Sequence, residues 1–351
     1  MTATRKALVS GATGVVGGAL IRHLAAQPDW DVVAVSRRAP VPAGRWIHSG
    51  ADLEDPAASR RALGDHADAT HLFHCAFVQD PDPLRHVARN TALLVHFVEA
   101  ALAAGAPLQH VHVVQGTKWY GSHLGPFITP AREWHPRHAG SNFYFDQQDW
   151  LEAAQRGQPW TWSATRPHAV CGFSLGSPMN LALSLAVYGS LCRELGLPFS
   201  HPGPEGNWHA LYQVTDAGLL ARAMVWAATT PACANQAFNV TNGDLIRWKD
   251  LWPRLAHFFG LEPGPQRHFS LREALGGMGE AWAQITDRHG LVPHPYEAVA
   301  GWGFADFVFG STWDIASDCG RIRRTGFGET LDSEEMLLDL LGRWRAGRVI
   351  P

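Results

Sequence analysis

The sequence predicts an α/β protein built on a doubly wound parallel sheet, with a smaller and mostly helical lobe in its C-terminal half. Three observations support this fold class. A glycine-rich turn joins an apolar strand to a helix at the start of the chain. Strand and helix patterns then alternate as far as residue 172 and become weaker beyond it. The 351 residues, 46% of them hydrophobic and 17% charged, suffice for one large domain or two coupled ones.

The first strand and helix lie in the segment K-A-L-V-S-G-A-T-G-V-V-G-G-A-L-I-R-H-L. Apolar residues predict a strand over 7–9 and a helix over 15–24. Between them, Gly11 permits a tight turn, Gly14 lets backbone N–H groups approach a pyrophosphate, and Gly17 lets the helix pack closely on the strand. Phosphates would then meet a helix N-terminus, which predicts a dinucleotide site of the Rossmann type; the alternative is a purely structural turn. The residues predicted for this cradle are Gly11, Thr13, Gly14, Val15, Val16 and Gly17.

The second strand, D-V-V-A-V-S-R-R, indicates which dinucleotide binds. An NAD site usually has Asp or Glu about 20 residues beyond the glycines, where the carboxylate binds the ribose 2′-hydroxyl. This strand ends instead in Ser36, Arg37 and Arg38. A guanidinium pairs with a 2′-phosphate, so the sequence favours NADPH, with Arg37 the first candidate and Arg38 the second; the alternative is an arginine that only solvates the strand end. Asp52 and Leu53 suit the loop that flanks the adenine, and the alternative for Asp52 is a solvated surface residue.

Three further strands are predicted, and their ends should meet at one crevice. They are H-L-F-H-C-A-F, H-V-H-V-V and W-T-W-S-A-T-R-P, and a helix over 90–104 lies between the first two. Ligands of doubly wound sheets bind at the carboxyl ends of the strands. The predicted crevice residues are Ala76, Phe77, Gly116, Lys118, Pro167, Ala169 and Val170.

The second half of the chain is predicted to supply a substrate-binding lobe. Helices are expected over 178–195 and after Asp216, with a loop at 201–209 and a short strand at A-F-N-V-T. We therefore predict a dinucleotide-binding domain at 1–172, completed by about 211–243, and a lobe formed by 173–210 and 244–351. The residues predicted to form an apolar substrate wall are Phe77, Phe127, Met179, Trp208 and Phe309.

Composition excludes several other functions. The net charge of −3 gives no reason to expect a nucleic-acid partner, and no stretch reaches the roughly 18 apolar residues that span a membrane. Five scattered cysteines without a C-x-x-C pair predict reduced thiols and a cytoplasmic protein. Nineteen histidines show no metal-binding motif, so no metal is expected. A homodimer is possible in this fold class.

The segment N-F-Y-F-D-Q-Q-D lies where a short-chain dehydrogenase/reductase should carry its catalytic Tyr-x-x-x-Lys. Tyr144 is present, but Gln148 stands in place of the lysine. The chain has only three lysines, and one of them, Lys118, follows the predicted strand that ends at Val114. Tyr144 and Lys118 are therefore the predicted catalytic pair. The alternative is that Tyr144 is a buried aromatic residue and Lys118 a solvated loop residue.

The motifs around these two residues resemble the progesterone 5β-reductase/iridoid synthase-like (PRISE) group of short-chain dehydrogenases. That group takes its lysine from T-G-x-K-x-Y and its tyrosine from N-F-Y-Y-D; this chain has Q-G-T-K-W-Y and N-F-Y-F-D. Phe145 stands where the group has a second tyrosine, and Phe77 where it has a tryptophan. Further matches cover nearly the whole chain: G-P-F at 125–127, W-S-A-T-R-P at 162–167, G-F-S-x-x-S-x-M-N-L at 172–181, A-F-N-V-T-N-G-D at 237–244 and W-K-x-x-W at 248–252.

The resemblance implies NADPH-dependent 1,4-reduction of the activated C=C bond of a small apolar enone or enal. Hydride reaches the β-carbon, and Tyr144 stabilises the enolate oxygen, helped by the Lys118 ammonium. One alternative is a carbonyl reductase or an epimerase/dehydratase-like enzyme, which the missing lysine at position 148 disfavours. The other is a non-catalytic NADPH-binding sensor.

Overall fold

A computed structural model describes residues 5–41 and 44–351 of the chain. Its strands are β1 (Arg5–Ser10), β2 (Trp30–Ser36), β3 (Ile47–Gly50), β4 (His71–His74), β5 (His110–Val114), β6 (Thr161–Arg166), β7 (Val170–Cys171), β8 (Thr215–Asp216) and β9 (Gln236–Asn239). Its α-helices are α1 (Val15–Ala25), α2 (Pro56–Leu63), α3 (Pro83–Ala103), α4 (Phe143–Gln155), α5 (Leu181–Leu195), α6 (Glu205–His209), α7 (Ala217–Thr229), α8 (Trp248–Phe258), α9 (Leu271–Leu275), α10 (Gly279–His289), α11 (Tyr296–Val299), α12 (Trp302–Phe309), α13 (Gly320–Arg324) and α14 (Ser333–Ala346). A 3₁₀ turn spans Thr117–Tyr120.

Seven strands form one parallel sheet in the order β3-β2-β1-β4-β5-β6-β9. The chain crosses from one half of the sheet to the other between β1 and β4, which is the switch point where doubly wound sheets bind their ligands. Helices α1 and α7 cover one face and α2, α3 and α4 the other. The predicted Rossmann-type fold is confirmed.

The central strands read as continuous apolar runs because both faces of the sheet are buried. Ala7, Leu8 and Val9 of β1 have no exposed surface. The histidines of β4 and β5 are part of this core. Ser163 Oγ lies 2.7 Å from both His110 Nε2 and His112 Nδ1, so strand hydroxyls satisfy the buried imidazoles.

Residues beyond 172 both complete the sheet and form a second core. β9 pairs with β6, and Asp216 caps α7, because its carboxylate accepts the N–H of Leu219 at 2.7 Å. Helices α5, α8, α10, α12 and α14 enclose a separate apolar core rich in tryptophan. The C-terminal region is therefore helical, as expected, while the exact division at residue 172 stays a prediction.

Three predicted element bounds were wrong. Helix α3 begins at Pro83 instead of residue 90, because Asp82 caps it and accepts the N–H groups of Leu84 and Arg85 at 2.9 and 3.0 Å. Helix α5 begins at Leu181 instead of 178. The segment 201–209, predicted as a loop, contains the short helix α6.

All five cysteines lie among the described residues as free thiols. No described helix is long and apolar enough to cross a membrane. Nor do the described residues contain a group of three or more His, Cys, Asp or Glu side chains arranged to hold a metal ion.

Candidate active site

The turn between β1 and α1 forms an open cradle at the carboxyl edge of the sheet. Gly11 has a φ of +66°, and a Cβ there would lie 2.6 Å from the carbonyl carbon of Cys75, so only glycine fits. A Cβ on Gly17 would lie 2.3 Å from the Gly11 carbonyl oxygen, so α1 packs directly on the turn. Gly14 is the N-cap of α1 and makes no side-chain cap, which leaves the first N–H groups of the helix available to an anion. The other residues predicted for this cradle, Thr13, Val15 and Val16, lie in the same turn and at the start of α1.

The end of β2 presents two exposed arginines, Arg37 and Arg38. Ser36 turns inward, and its hydroxyl donates to the Arg38 carbonyl oxygen at 2.7 Å, which fixes the backbone of this end. The hydrogen bond from Arg89 is the main cause that lowers the pKa of Glu54, and the charge of Arg37 adds to it. This edge of the crevice therefore carries positive charge on side chains that reach solvent.

The two residues predicted beside the adenine differ in what they offer. Asp52 is exposed, and its carboxylate accepts the N–H of Glu54 at 3.1 Å. Leu53 is 5% exposed and packs in the core beneath α2 and α3. Only the backbone of Leu53 can therefore flank a nucleotide, because its side chain is fully used in packing.

The ends of β5 and β6 bring Gly116, Tyr144 and Pro167 together. A Cβ on Gly116 would lie 3.1 Å from the Tyr144 hydroxyl oxygen and 3.4 Å from the Pro167 carbonyl oxygen. The Thr117 N–H donates to that same carbonyl oxygen at 3.2 Å. Glycine at 116 thus gives the phenol room to reach over the strand end, because a Cβ there would make an unusually tight contact. Of the other predicted crevice residues, Ala169 has a φ of +39°, Val170 pairs with β8, and Ala76 donates its N–H to Ser10 Oγ at 3.3 Å.

Tyr144 lies in the first turn of α4, and one side chain joins this turn to Lys118. The Asn142 carboxamide oxygen caps α4 by accepting the Tyr144 N–H at 3.0 Å, while its Nδ2 donates to the Lys118 carbonyl oxygen at 3.1 Å. Burial raises the pKa of the Tyr144 phenol, so the hydroxyl is protonated and can donate a hydrogen bond at neutral pH. Sequence analysis did not single out Asn142, although an Asn two residues before the tyrosine is a typical helix cap.

Lys118 projects from the 3₁₀ turn with its side chain open to the crevice on one side. Its ammonium lies 4.9 Å from the centre of the Phe307 ring. Surrounding protein atoms desolvate it and lower the pKa of Lys118. Its charge is also the second cause, after burial, that lowers the pKa of three nearby histidines, His86, His123 and His168. Lys118 therefore occupies a site without a neutralising carboxylate among the described residues.

Tyr144 and Lys118 approach the same end of the sheet but do not hydrogen-bond to each other within the described part of the chain. Gln148, which stands where other short-chain dehydrogenases have lysine, is held elsewhere. Its Oε1 accepts hydrogen bonds from Arg166 at 3.1 Å and from Gln115 at 3.3 Å. The position that would carry the usual lysine thus faces a buried guanidinium.

The residues predicted to line an apolar wall divide into two groups. Phe77 is 36% exposed, and its ring lies 5.9 Å from Phe143, the neighbour of Tyr144. Phe127 packs between the lobe core and the small cluster that includes Tyr144. Met179 is partly exposed before α5. Phe77 and Phe127 therefore lie beside the aromatic residues around Tyr144, and Met179 reaches solvent.

The other two predicted wall residues, Phe309 and Trp208, pack in the core of the lobe or at its edge, and their role in a substrate wall stays a prediction. Phe309 is 2% exposed, and its ring lies 5.0 Å from Trp248 inside the lobe core. Trp208 packs at the edge of the same core, 4.9 Å from His201. On α12, the residue that faces Lys118 is Phe307, because it lies on the other side of the helix from Phe309. The apolar run in this segment gave no signal to distinguish the two phenylalanines.

Comparison with known proteins supports a specific family. Residues 7–311 match the model of the PRISE-like Rossmann-fold domain. The chain is 31% identical to the 3-oxo-Δ(4,5)-steroid 5-β-reductase of Arabidopsis thaliana, over 98% of this chain and 93% of that protein. It is 31% identical to the (S)-8-oxocitronellyl enol synthase of Catharanthus roseus, over 98% and 91%. A short chain dehydrogenase of Penicillium aethiopicum is 31% identical over 99% of both chains.

Solved structures resemble the chain at the level of the fold. The UDP-glucose 4-epimerase of Thermotoga maritima superimposes with a TM-score of 0.70 at 16% identity, covering 97% of this chain and 99% of that one. A short-chain dehydrogenase/reductase superfamily protein of Agrobacterium tumefaciens with bound NAD gives 0.69 at 18% identity, covering 98% of each chain. The protein called RMD of Pseudomonas aeruginosa, complexed with NADPH, gives 0.67 at 16% identity, covering 98% and 99%.

Proposed function

The chain belongs to the PRISE-like family of Rossmann-fold proteins, and we propose that it is an NADPH-dependent reductase of activated C=C bonds in small enones or enals. The observation that carries the proposal is the approach of the Tyr144 hydroxyl to Gly116 at the sheet edge, beside a turn that contains Lys118. Two of the similar proteins are named as a steroid 5-β-reductase and an oxocitronellyl enol synthase, which agrees with this chemistry.

The residues of the crevice fit NADPH. The glycine cradle leaves no room for a Cβ at Gly11 or Gly17 and presents uncapped N–H groups, as a pyrophosphate requires. Arg37 and Arg38 offer guanidinium groups to a 2′-phosphate. When bound, NADPH supplies the hydride for the β-carbon of the substrate.

Tyr144 is proposed to stabilise the charge that develops on the substrate carbonyl oxygen. Reduction of an enone at the β-carbon moves negative charge onto that oxygen, and a fixed O–H donor stabilises the enolate more than the neutral ketone. A phenol with a raised pKa stays protonated and fulfils this role. Oxidation of an alcohol, the first step of epimerase or dehydratase chemistry, instead needs a base. Gln148 stands where the lysine that assists such a tyrosine is usually found, which disfavours those alternatives.

Lys118 is proposed to add positive charge at the same end of the crevice. No described carboxylate neutralises the ammonium, so its field reaches the developing enolate. The chain offers few other candidates for this role, because Lys6 pairs with Asp68 and Lys249 with Asp250. The small number of lysines in the sequence and the position of Lys118 in the structure therefore favour the same residue.

The first test compares Tyr144→Phe with wild type. We expect kcat with 2-cyclohexen-1-one to fall about 10²–10³-fold, the usual effect of losing one oxyanion donor, while NADPH binds as before. NADPH consumption gives the rate, and product analysis gives the bond reduced. Tyr188→Phe is the matched control, because its hydroxyl donates to the Ser200 carbonyl oxygen inside the lobe.

Each outcome separates the alternatives. A saturated carbonyl product, lost in Tyr144→Phe and in Lys118→Met, supports the proposal. An allylic alcohol from citral would assign carbonyl reduction instead. Tight NADPH binding without turnover of any enone or enal would favour the sensor.

A further inference from the structure

A buried arginine lies directly behind the two predicted catalytic residues. Arg166 is the last residue of β6 and is 1% exposed. Its guanidinium carbon lies 3.5 Å from the centre of the Trp119 ring. Neither the cradle nor the proposed chemistry uses this cation, and burying a charge is costly unless its hydrogen bonds are satisfied.

The hydrogen bonds of Arg166 reach four separate segments, one of them through the Glu133 carbonyl oxygen, which accepts from Nη1 at 3.4 Å. Its Nε donates to Gln115 Oε1 at 2.9 Å, on the strand end. Its Nη1 donates to the Tyr120 hydroxyl at 3.1 Å, in the turn that carries Lys118. Its Nη2 donates to Gln148 Oε1 at 3.1 Å, one helical turn beyond Tyr144.

The same group thus contacts both elements that carry the catalytic pair. Trp119 and Tyr120, the two residues after Lys118, meet the face and the edge of the guanidinium. Gln115 also joins the strand end to α4, because its Nε2 donates to the carbonyl oxygen of Tyr144 at 3.3 Å. A displacement of either element would break at least one hydrogen bond to a buried cation.

We propose that Arg166 is a positioning residue that sets the placement of Lys118 relative to Tyr144. This inference rests on the proposed function, since it assigns a structural origin to the geometry of that site. Arginine suits the role because its planar guanidinium donates in three fixed directions and stacks on an aromatic ring, whereas a lysine ammonium is a single flexible point. A buried cation is a poor source of stability compared with apolar packing, so its value here lies in fixing one arrangement of the two elements.

The test uses Arg166→Met, which keeps volume without charge, and Arg166→Lys, which keeps charge without the planar donor. We expect kcat for an enone to fall about 100-fold in both variants, as a misplacement of about 1 Å can cause, with the dissociation constant of NADPH changed less than about threefold. Arg254→Met is the control; it removes an arginine that pairs with Glu334 and Glu335 on the lobe surface.

A second readout does not require turnover. Because the chain has only three lysines, reductive methylation with ¹³C-formaldehyde gives an NMR signal for each, assigned by substitution. The Lys118 signal should shift in both Arg166 variants and not in Arg254→Met, while the signals of Lys6 and Lys249 stay unchanged. This result supports the inference even if wild type reduces no enone, an outcome that would overturn the proposed function alone.

Three results would overturn the inference. The first is an unmoved Lys118 signal together with kcat within about threefold of wild type. The second is full recovery of kcat in Arg166→Lys, which would show that a positive charge suffices. A loss of kcat that only follows the unfolded fraction, measured by circular dichroism at the assay temperature, would likewise assign a merely structural role.

Discussion

Side chains of the crevice differ in how far water reaches them, and this sets their charge. Burial raises the pKa of Tyr144 and lowers that of Lys118, because a desolvated site disfavours whichever form is charged. Lys118, Arg37 and Arg38 all have exposed side chains, while Tyr144 is half-buried. The protein atoms packed around Tyr144 and Lys118 therefore shift their pKa although both side chains keep access to solvent.

The exposed arginines lead to a prediction about cofactor selectivity. In Arg37→Ala, the dissociation constant of NADPH should rise about tenfold, since one charge-assisted hydrogen bond contributes about 1.5 kcal/mol, while that of NADH stays the same. Titration of both dinucleotides by fluorescence measures this. Arg61→Ala, an exposed arginine of α2, is the control. An equal loss for both dinucleotides would show that Arg37 does not contact the 2′-phosphate.

Motif spacing predicted individual residues whose neighbours in the structure lie close to them in sequence. Gly11 and Gly17 follow from a local turn, and Tyr144 and Lys118 from short motifs. Phe307 could not be found in this way, because its contact with Lys118 joins residues far apart in the chain and depends on how α12 is rotated.

The 3₁₀ turn and α4 behave as a coupled pair of elements. Asn142 caps α4 and binds the turn through the Lys118 carbonyl oxygen, and Arg166 ties Gln148 to Tyr120. Neither element is held by its own hydrogen bonds alone. The sequence did not show how the turn and α4 lie relative to each other. The hydrogen bonds that join these two elements come from β6 and from the residue before α4.

This coupling predicts that a positive charge at position 148 lowers stability more than a negative charge does. Gln148→Lys should lower the free energy of unfolding by about 1–3 kcal/mol, because Arg166 loses an acceptor and meets a second cation. Gln148→Glu keeps an acceptor for Arg166 and should be stable within about 1 kcal/mol of wild type. Urea unfolding measures both. Equal stability of the two variants would contradict the contact between Arg166 and this side chain.

Among the described residues, separate apolar clusters lie on the two faces of the sheet and in the lobe, and several histidines are buried. Burial lowers the pKa of His71 and His201 to about 4 and of His74 and His112 to about 3. The sequence showed the histidine-rich strands but not the reason for them, since the hydroxyls that satisfy His112 come from β6. The parallel, doubly wound class of the sheet, however, followed from the alternation of strand and helix patterns.

These histidines predict loss of stability in mild acid. Above about pH 6.5 they are neutral in both folded and unfolded chains; below it only the unfolded chain binds their protons. Stability should therefore fall as pH drops from 6.5 towards 4, by about 1.4 kcal/mol per pH unit for each such histidine. Urea unfolding at several pH values measures how steeply stability falls with pH. His112→Asn should reduce that slope by the contribution of one histidine. A slope that is the same in wild type and His112→Asn would refute this account.

The pairing of Arg166 with Gln148 also constrains how such a site can arise by descent. A lineage that carries its lysine on the helix cannot adopt this arrangement by one substitution, since a lysine at 148 and an arginine at 166 would place two buried cations together. The lysine must first be lost from the helix, at a cost in activity, or gained at 118 while the old one persists. Lysine placement in such enzymes should therefore change rarely, and together with the residue at the end of β6.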